Sequence, residues 1–237
     1  MAIDTQHRTT ASETMDDFTM EGEVLRDALD KIASINRLLG GNKLTLNGVR
    51  KLLERNSKSD SITIVDVGCG NGDMLRALAE YGKRHGWTFR LIGIDANEFT
   101  IKHARKLSAQ YSNIEFRTEN IFETDFTEIN CDIVVCTLTL HHFTDDEILQ
   151  LIRKFHDTVK VGIVINDLHR SKIAYRLFQI VCTVFRLNKM SREDGLVSIL
   201  RGFKKDELVA YCKKLNLKKY SIRWKWAFRF EWIISKI

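Results

Sequence analysis

An open, doubly wound α/β sheet is the fold class that the sequence predicts, and three observations carry it. Between residues 62 and 166, strand-like and helical patterns alternate; the first strand, residues 62–67, runs straight into Gly68, Gly70 and Gly72; the second ends on an acid, Asp95. Alternation of this kind implies a parallel sheet wrapped by helices through right-handed crossovers. Ligands in such sheets lie at the carboxyl ends of the strands, near the switch in strand order.

Taken in order, residues 1 to about 15 are polar and read as loose. From Met15 to Asn56 the pattern is helical, with Val24, Leu25, Leu29, Ile32, Ile35, Leu38 and Leu39 recurring at threes and fours before Gly40 and Gly41 stop it. A second helix follows through residues 46–53, and both helices are expected to cap the ligand edge. The core then reads strand 62–67, helix 72–86, strand 89–95, helix 98–109, strand 113–117, strand 131–136, helix 144–156 and strand 160–166. A helical insertion spans about 171–201, a helix spans 204–215, and a final pair of strands covers about 217–225 and 228–236. The expected division is a helical cap at 1–57 and a ligand-binding domain at 58–237.

At 237 residues there is room for one substantial α/β core with an appended cap. Charged residues make up 29% and hydrophobic ones 44%, an ordinary soluble composition. The first residues lack a basic stretch followed by a long apolar run, so a cytoplasmic location is expected. Five cysteines (Cys69, Cys131, Cys136, Cys182, Cys212) form no C-x-x-C pair. That fits reduced, buried thiols rather than a zinc or disulfide framework. The net charge of +6 owes much to Lys204-Lys205, Lys213-Lys214 and Lys218-Lys219; these read as the solvated side of a helix and its turn, which argues against nucleic acid as a partner.

The glycines suit a ligand because a residue without Cβ can turn at positive φ and let a bulky group approach the backbone. Their spacing is G-x-G-x-G with Asp66 two residues ahead, whereas a dinucleotide loop is G-x-G-x-x-G and avoids a carboxylate beside the pyrophosphate. An acid there suits a ligand with a cationic amino-acid end. The stretch from Asp66 through Gly68, Cys69 and Gly70 to Gly72 resembles motif I of the class I S-adenosylmethionine (SAM) methyltransferases. The resemblance implies SAM as cofactor, S-adenosylhomocysteine (SAH) as product, and a Rossmann-like seven-stranded sheet closed by an antiparallel hairpin. Asp95, with Ala96 beside it, falls where a carboxylate accepts ribose hydroxyls. Asn120 stands where the family carries an acid for the adenine amino group, and Ile121 suits either the adenine face or the core. Thr137 ends the fourth strand on the cofactor side. The chain has no proline, so it lacks the Asn/Asp-Pro-Pro-Tyr turn of amino-directed relatives.

Chemistry is expected at three places. His141 and His142 follow the fourth strand, where histidine suits a base for a weakly acidic hydroxyl; the Leu-His-His pattern also shapes the cofactor wall in the family. A metal is not expected, since neighbours on an extended chain point opposite ways. After the fifth strand, Asp167 and His169 suit an acid-oriented base and Arg170 an anionic or phenolate oxygen; the same group also reads as a cap for the helix beginning near Ser171. Residues 172–187 are apolar over most of their circumference yet too short and charged to span a membrane. They suit an acceptor pocket, a membrane surface or a dimer contact. The aromatic run from Trp224 to Trp232 alternates at strand period and reads as sheet packing.

Three segments, residues 35–41, 165–170 and 194–203, resemble a bacterial subgroup similar to quinone-biosynthesis and polyketide-pathway methyltransferases. That likeness implies that Asn36, Arg37 and Gly41 close over the cofactor and that Arg201 belongs to an acceptor lid. The expected activity is methyl transfer from SAM to a hydroxyl of a small aromatic, lipophilic metabolite. C-methylation of a quinol ring, RNA methylation and non-catalytic SAM binding are the alternatives.

Overall fold

The computed structural model describes residues 3–54 and 61–236; the boundary expected at 57/58 lies outside the described residues. Two helices, α1 (Glu23–Leu38) and α2 (Gly41–Leu53), precede β1 (Ile62–Val67), α3 (Asp73–His85), β2 (Phe89–Asp95), α4 (Glu98–Leu107) and β3 (Ile114–Thr118). Then come α5 (Phe126–Ile129), β4 (Ile133–Thr137), α6 (Asp145–Thr158), β5 (Gly162–Leu168), α7 (Lys172–Val184), α8 (Lys189–Arg201), α9 (Lys205–Lys214), β6 (Tyr220–Lys225) and β7 (Arg229–Ser235). The seven strands are ordered β3-β2-β1-β4-β5-β7-β6, with β7 antiparallel to both neighbours.

Central strands rich in Val and Ile are buried on both faces, as a parallel sheet covered by helices requires. One face packs α5, α6 and α9 around Phe126, Phe155 and Tyr211; the other packs α2, α3 and α4 around Leu52, Leu75 and Ile101. The strand order switches between β1 and β4, and α1, α7 and α8 lie over that carboxyl edge.

Four expectations about the frame change. First, α2 packs on the sheet face instead of capping the ligand edge. A Cβ on Gly48 would lie 2.5 Å from Val164 Cγ1, so the glycine permits the close approach, and Asn166 Nδ2 donates to Gly41 O and Thr45 Oγ1 (3.0 and 3.1 Å). Second, β5 runs on to Leu168, so Asn166 and Asp167 are buried in the strand and do not emerge from it. Third, β7 buries Phe230 and Trp232, whereas Trp224 and Trp226 stand out in solvent, 52% and 76% exposed.

Fourth, the polar N-terminal stretch is tied down. Arg8 bonds Arg201 O, His141 O, Phe143 O and Asp145; Thr9 N donates to Leu200 O; and the Thr14 and Met15 amides donate to the Asp194 carboxylate at 2.8 and 3.0 Å. This strap lays a 3-10 turn, Thr14–Asp16, against α8.

Candidate active site

Backbone geometry at the ends of β1 and β4 opens a cavity of about 1000 Å³, at the upper end of the usual ~300–1000 Å³ for small-molecule sites. Gly68 and Gly70 both turn at positive φ (67° and 51°). A Cβ at Gly68 would strike the Thr139 side chain at 2.3 Å, while one at Gly70 would face nearly open space. Gly68 therefore lets the β4 loop pack close, and Gly70 leaves its backbone bare to a ligand. Opposite, Leu138 also adopts positive φ (56°), a strained choice for a bulky residue. The chain then folds into the 3-10 turn Leu140–His142.

The cavity is lined by Asp66, Gly68, Cys69, Gly70, Asp95, Ala96, Asn120, Ile121 and Thr137, nine of the expected cofactor residues. Gly72 does not line it: it precedes α3, and a Cβ there would meet Phe116. Arg37 does not line it either, being exposed on α1; its neighbour Asn36 does so instead. Asn36 is buried with an unpartnered Oδ1 while its Nδ2 bonds Asn42. Gly41 permits this, since a Cβ would sit 1.8 Å from that oxygen.

Three carboxyls gather at the glycine loop. Burial pushes Asp66 well above the ordinary carboxylate range, and the negative charges of Asp73 and Asp95 add to the effect. Burial also raises Asp95, against amide hydrogen bonds from Asn97 and Gly70, and raises Asp73 against Asn42, Arg76 and Arg37. An acidic pocket with an orphaned amide oxygen is a seat for a cationic donor group. At β3, Asn120 is exposed, and its Oδ1 already accepts from Phe122 N (3.1 Å).

On the far wall, Asp167 meets His141 and not His169. Its carboxylate accepts from His141 Nδ1 (2.7 Å), His141 N (3.2 Å) and Leu168 N (2.7 Å). Burial pushes Asp167 up, but the His141 charge and hydrogen bond outweigh it and hold the carboxyl below its ordinary range. His141 Nδ1 faces this carboxylate, and its Nε2 is buried with no hydrogen-bond partner. His169 also lines the cavity but has a different partner: Trp224 Nε1 donates to its Nδ1 (3.1 Å), and burial, with the charges of Lys204 and Arg170, depresses its basicity.

The two arginines expected at the acceptor are structural. Arg170 is fully buried and lies off the cavity; it donates to Thr5 O, Gln6 O and Gly202 O and pairs with Glu207. Arg201 reaches His141 O, His142 O and Asp16 (2.6 Å), latching α8 and the strap onto the histidine turn.

Sequence reasoning missed Glu13, in the stretch read as loose, and Asp16, at the start of the stretch read as helical. Burial drives the Glu13 carboxyl up to about 7 against the pull of His142, Ser198 and Arg201. Its Oε1 makes no hydrogen bond but lies 3.7 Å from Arg201 Nη1 and 3.8 Å from His141 Nε2. Asp16 fixes His142 through Nδ1 at 2.7 Å. Because the histidines lie in a turn and not an extended chain, their rings sit side by side, centroids 4.3 Å apart. The expectation that they point opposite ways fails: ligand atoms of Glu13, His141 and His142 come within 4.8 Å of one another, a spacing that could hold a metal ion.

A glycine loop at the β1–β4 switch, a ribose-type acid after β2 and a reversed β7 between β5 and β6 define the class I SAM-dependent methyltransferase, and this chain has that fold. Residues 64–162 match the family model described as a methyltransferase domain. A Geobacillus sp. (strain WCH70) protein named "Putative methyltransferase" is 28% identical over 134 residues, covering 55% of this chain and 52% of its own. The chain thus spans about half the length of that curated relative. Among solved structures, the plantazolicin methyltransferase BpumL in complex with SAH aligns with a TM-score of 0.67 at 16% identity, over 90% of this chain and 89% of that one. Magnesium protoporphyrin IX methyltransferase from Synechocystis PCC 6803 with bound SAH gives 0.56 at 14% identity, over 83% and 82%. At these identities the likeness is one of fold.

Proposed function

We propose that the chain transfers the methyl group of SAM to a hydroxyl of a small, aromatic and lipophilic acceptor, releasing SAH. One observation carries the reading: His141, fixed by Asp167 and with no hydrogen bond at Nε2, lines the same cavity as the glycine loop. The acidic loop and the orphaned Asn36 oxygen fit the cationic amino-acid end of SAM, and Asp95 fits its ribose. When bound, SAM supplies an electrophilic methyl carbon on a positively charged sulfur.

The protein's own part is positioning and proton handling. His141 Nε2 takes the hydroxyl proton as the oxygen–carbon bond forms and the carbon–sulfur bond breaks. Asp167 holds the tautomer that leaves Nε2 free and stabilises the imidazolium that results. Apolar lining such as Leu29, Phe143, Phe178 and Ile199 selects a lipophilic acceptor and excludes water. Five buried thiols with no disulfide support the cytoplasmic reading.

Isothermal titration with SAM and SAH on wild type and Asp95→Ala is the test. Micromolar binding that the substitution weakens supports the cofactor; a panel of phenols and quinols followed by mass spectrometry then locates the methyl on oxygen or carbon. Absence of SAM binding would overturn the proposal, and methylation on ring carbon would overturn its choice of atom.

A further inference from the structure

The cavity mouth is greasy and its surroundings are basic. Leu177 and Ile180 of α7, Phe18 of the strap and Trp226 of the β6–β7 turn all line the cavity, yet each is 46% exposed or more. They are rim residues, not core. From Leu177 and Ile180 the apolar surface continues outward: Ile173 and Val184, 64% and 70% exposed, extend the same stripe at spacings of four, three and four.

The charge on this side has one sign. Residues 172–192 carry Lys172, Arg176, Arg186, Lys189 and Arg192 and no acid, and β6 adds the exposed Arg223; Arg229 is buried, Lys225 pairs with Glu231, and Lys218 and Lys219 lie at the opposite end of β6. Lys172, Arg176, Arg186 and Arg223 are exposed and make no ion pair among the described residues. Acids cluster instead across the mouth, at Asp17, Glu21 and Glu23 near Phe18.

We propose that the face made by α7 and the β6–β7 turn docks on an anionic lipid bilayer, with the cavity mouth against the acyl boundary. An exposed apolar stripe flanked by unpaired cations, with tryptophan at the edge, has the chemistry of a helix lying in the plane of a membrane interface. With 13 residues, α7 spans only about 20 Å, and no helix among the described residues is long and apolar enough to cross a membrane. A second copy is the poorer occupant, because pairing this face with itself brings like charges together. Docking does not depend on the proposed methyl transfer. Delivery of a lipophilic acceptor from the bilayer to His141 does rest on it.

Vesicle flotation of the full chain tests the docking, with phosphatidylcholine alone against phosphatidylcholine mixed with phosphatidylglycerol. The expected result is partitioning at least about tenfold stronger on the anionic vesicles, weakened by salt. A double variant, Ile173→Asp with Val184→Asp, lies on the exposed stripe but outside the cavity lining. It is expected to lose that partitioning about tenfold or more while SAM affinity and the circular dichroism spectrum stay unchanged. Equal binding to neutral and anionic vesicles, or none to either, overturns the proposal. So does a wild-type dimer in sedimentation velocity that the double variant converts to monomer, since a second copy would then cover the face. Failure of SAM to bind leaves the vesicle result standing and strikes only the methyltransferase reading.

Discussion

Arg170→Met is expected to detach the N-terminal strap and destabilise the protein by about 3 kcal/mol. The guanidinium is fully buried, spends its donors on Thr5 O, Gln6 O and Gly202 O, and pairs with Glu207. Methionine keeps the apolar stem and removes every one of those bonds. Breaking one partner of a buried ion pair costs ~3–5 kcal/mol. The Glu207 side chain is 27% exposed and can turn to water, which places the cost at the low end. Urea unfolding of both proteins measures the total. Hydrogen exchange locates it: the Thr9, Thr14 and Met15 amides, bonded to Leu200 O and Asp194, should lose protection first. A loss under ~1 kcal/mol with strap protection retained would refute the argument, because the arginine would then not be the anchor its contacts describe.

The remaining expectations concern the site. His141→Gln should abolish turnover while leaving SAM affinity within about twofold, whereas His169→Gln should keep most activity; equal loss in both would return the base to the fifth strand. Asp167→Asn should lower turnover by a few orders of magnitude, since an amide that donates to Nδ1 puts the proton on Nε2; unchanged turnover would deny Asp167 its role. SAM binding should weaken as pH falls: Asp66 and Asp95 have raised pKa values, and a cationic ligand needs the carboxylates ionised, so binding releases protons. A pH-independent affinity would contradict this. Without ligand the sign reverses: groups raised in the folded state stabilise it at low pH, and that contribution is lost as pH rises through their folded values. SAM should therefore protect against urea more at pH 8 than at pH 5.

Elements with strong local signals were legible. The strand at 62–67 and the strand at 89–95 keep their bounds, because mainly apolar runs ending in glycine or acid state both element and exit. The glycine loop was legible for the same reason: its spacing is itself the backbone geometry. What could not be read was partnership across space. Asp167 lies two residues from His169, and sequence proximity suggested a pair. The carboxylate instead turns to a ring 26 positions earlier, since β4 and β5 are neighbours in the sheet and the strand carries Asp167 buried beneath the histidine turn.

Glu13 shows why a polar terminus is hard to interpret. Periodicity reports burial only where many residues share it, and the strap buries Glu13 almost alone, through backbone amides that accept no pattern. Its order comes from groups far along the chain, Asp194, Ser198 and Arg170, which nothing in the local sequence connects to it. The consequence is functional. The carboxyl that burial brings to about 7 is carried to His141, the proposed base, by the strap that Arg170 holds. Glu13→Gln, which keeps the shape but removes the ionisation, should therefore shift the pH dependence of turnover near neutrality without changing the fold, and Arg170→Met should produce the same shift together with instability. A Glu13→Gln profile that overlays the wild type would separate the strap's structural role from the chemistry at His141.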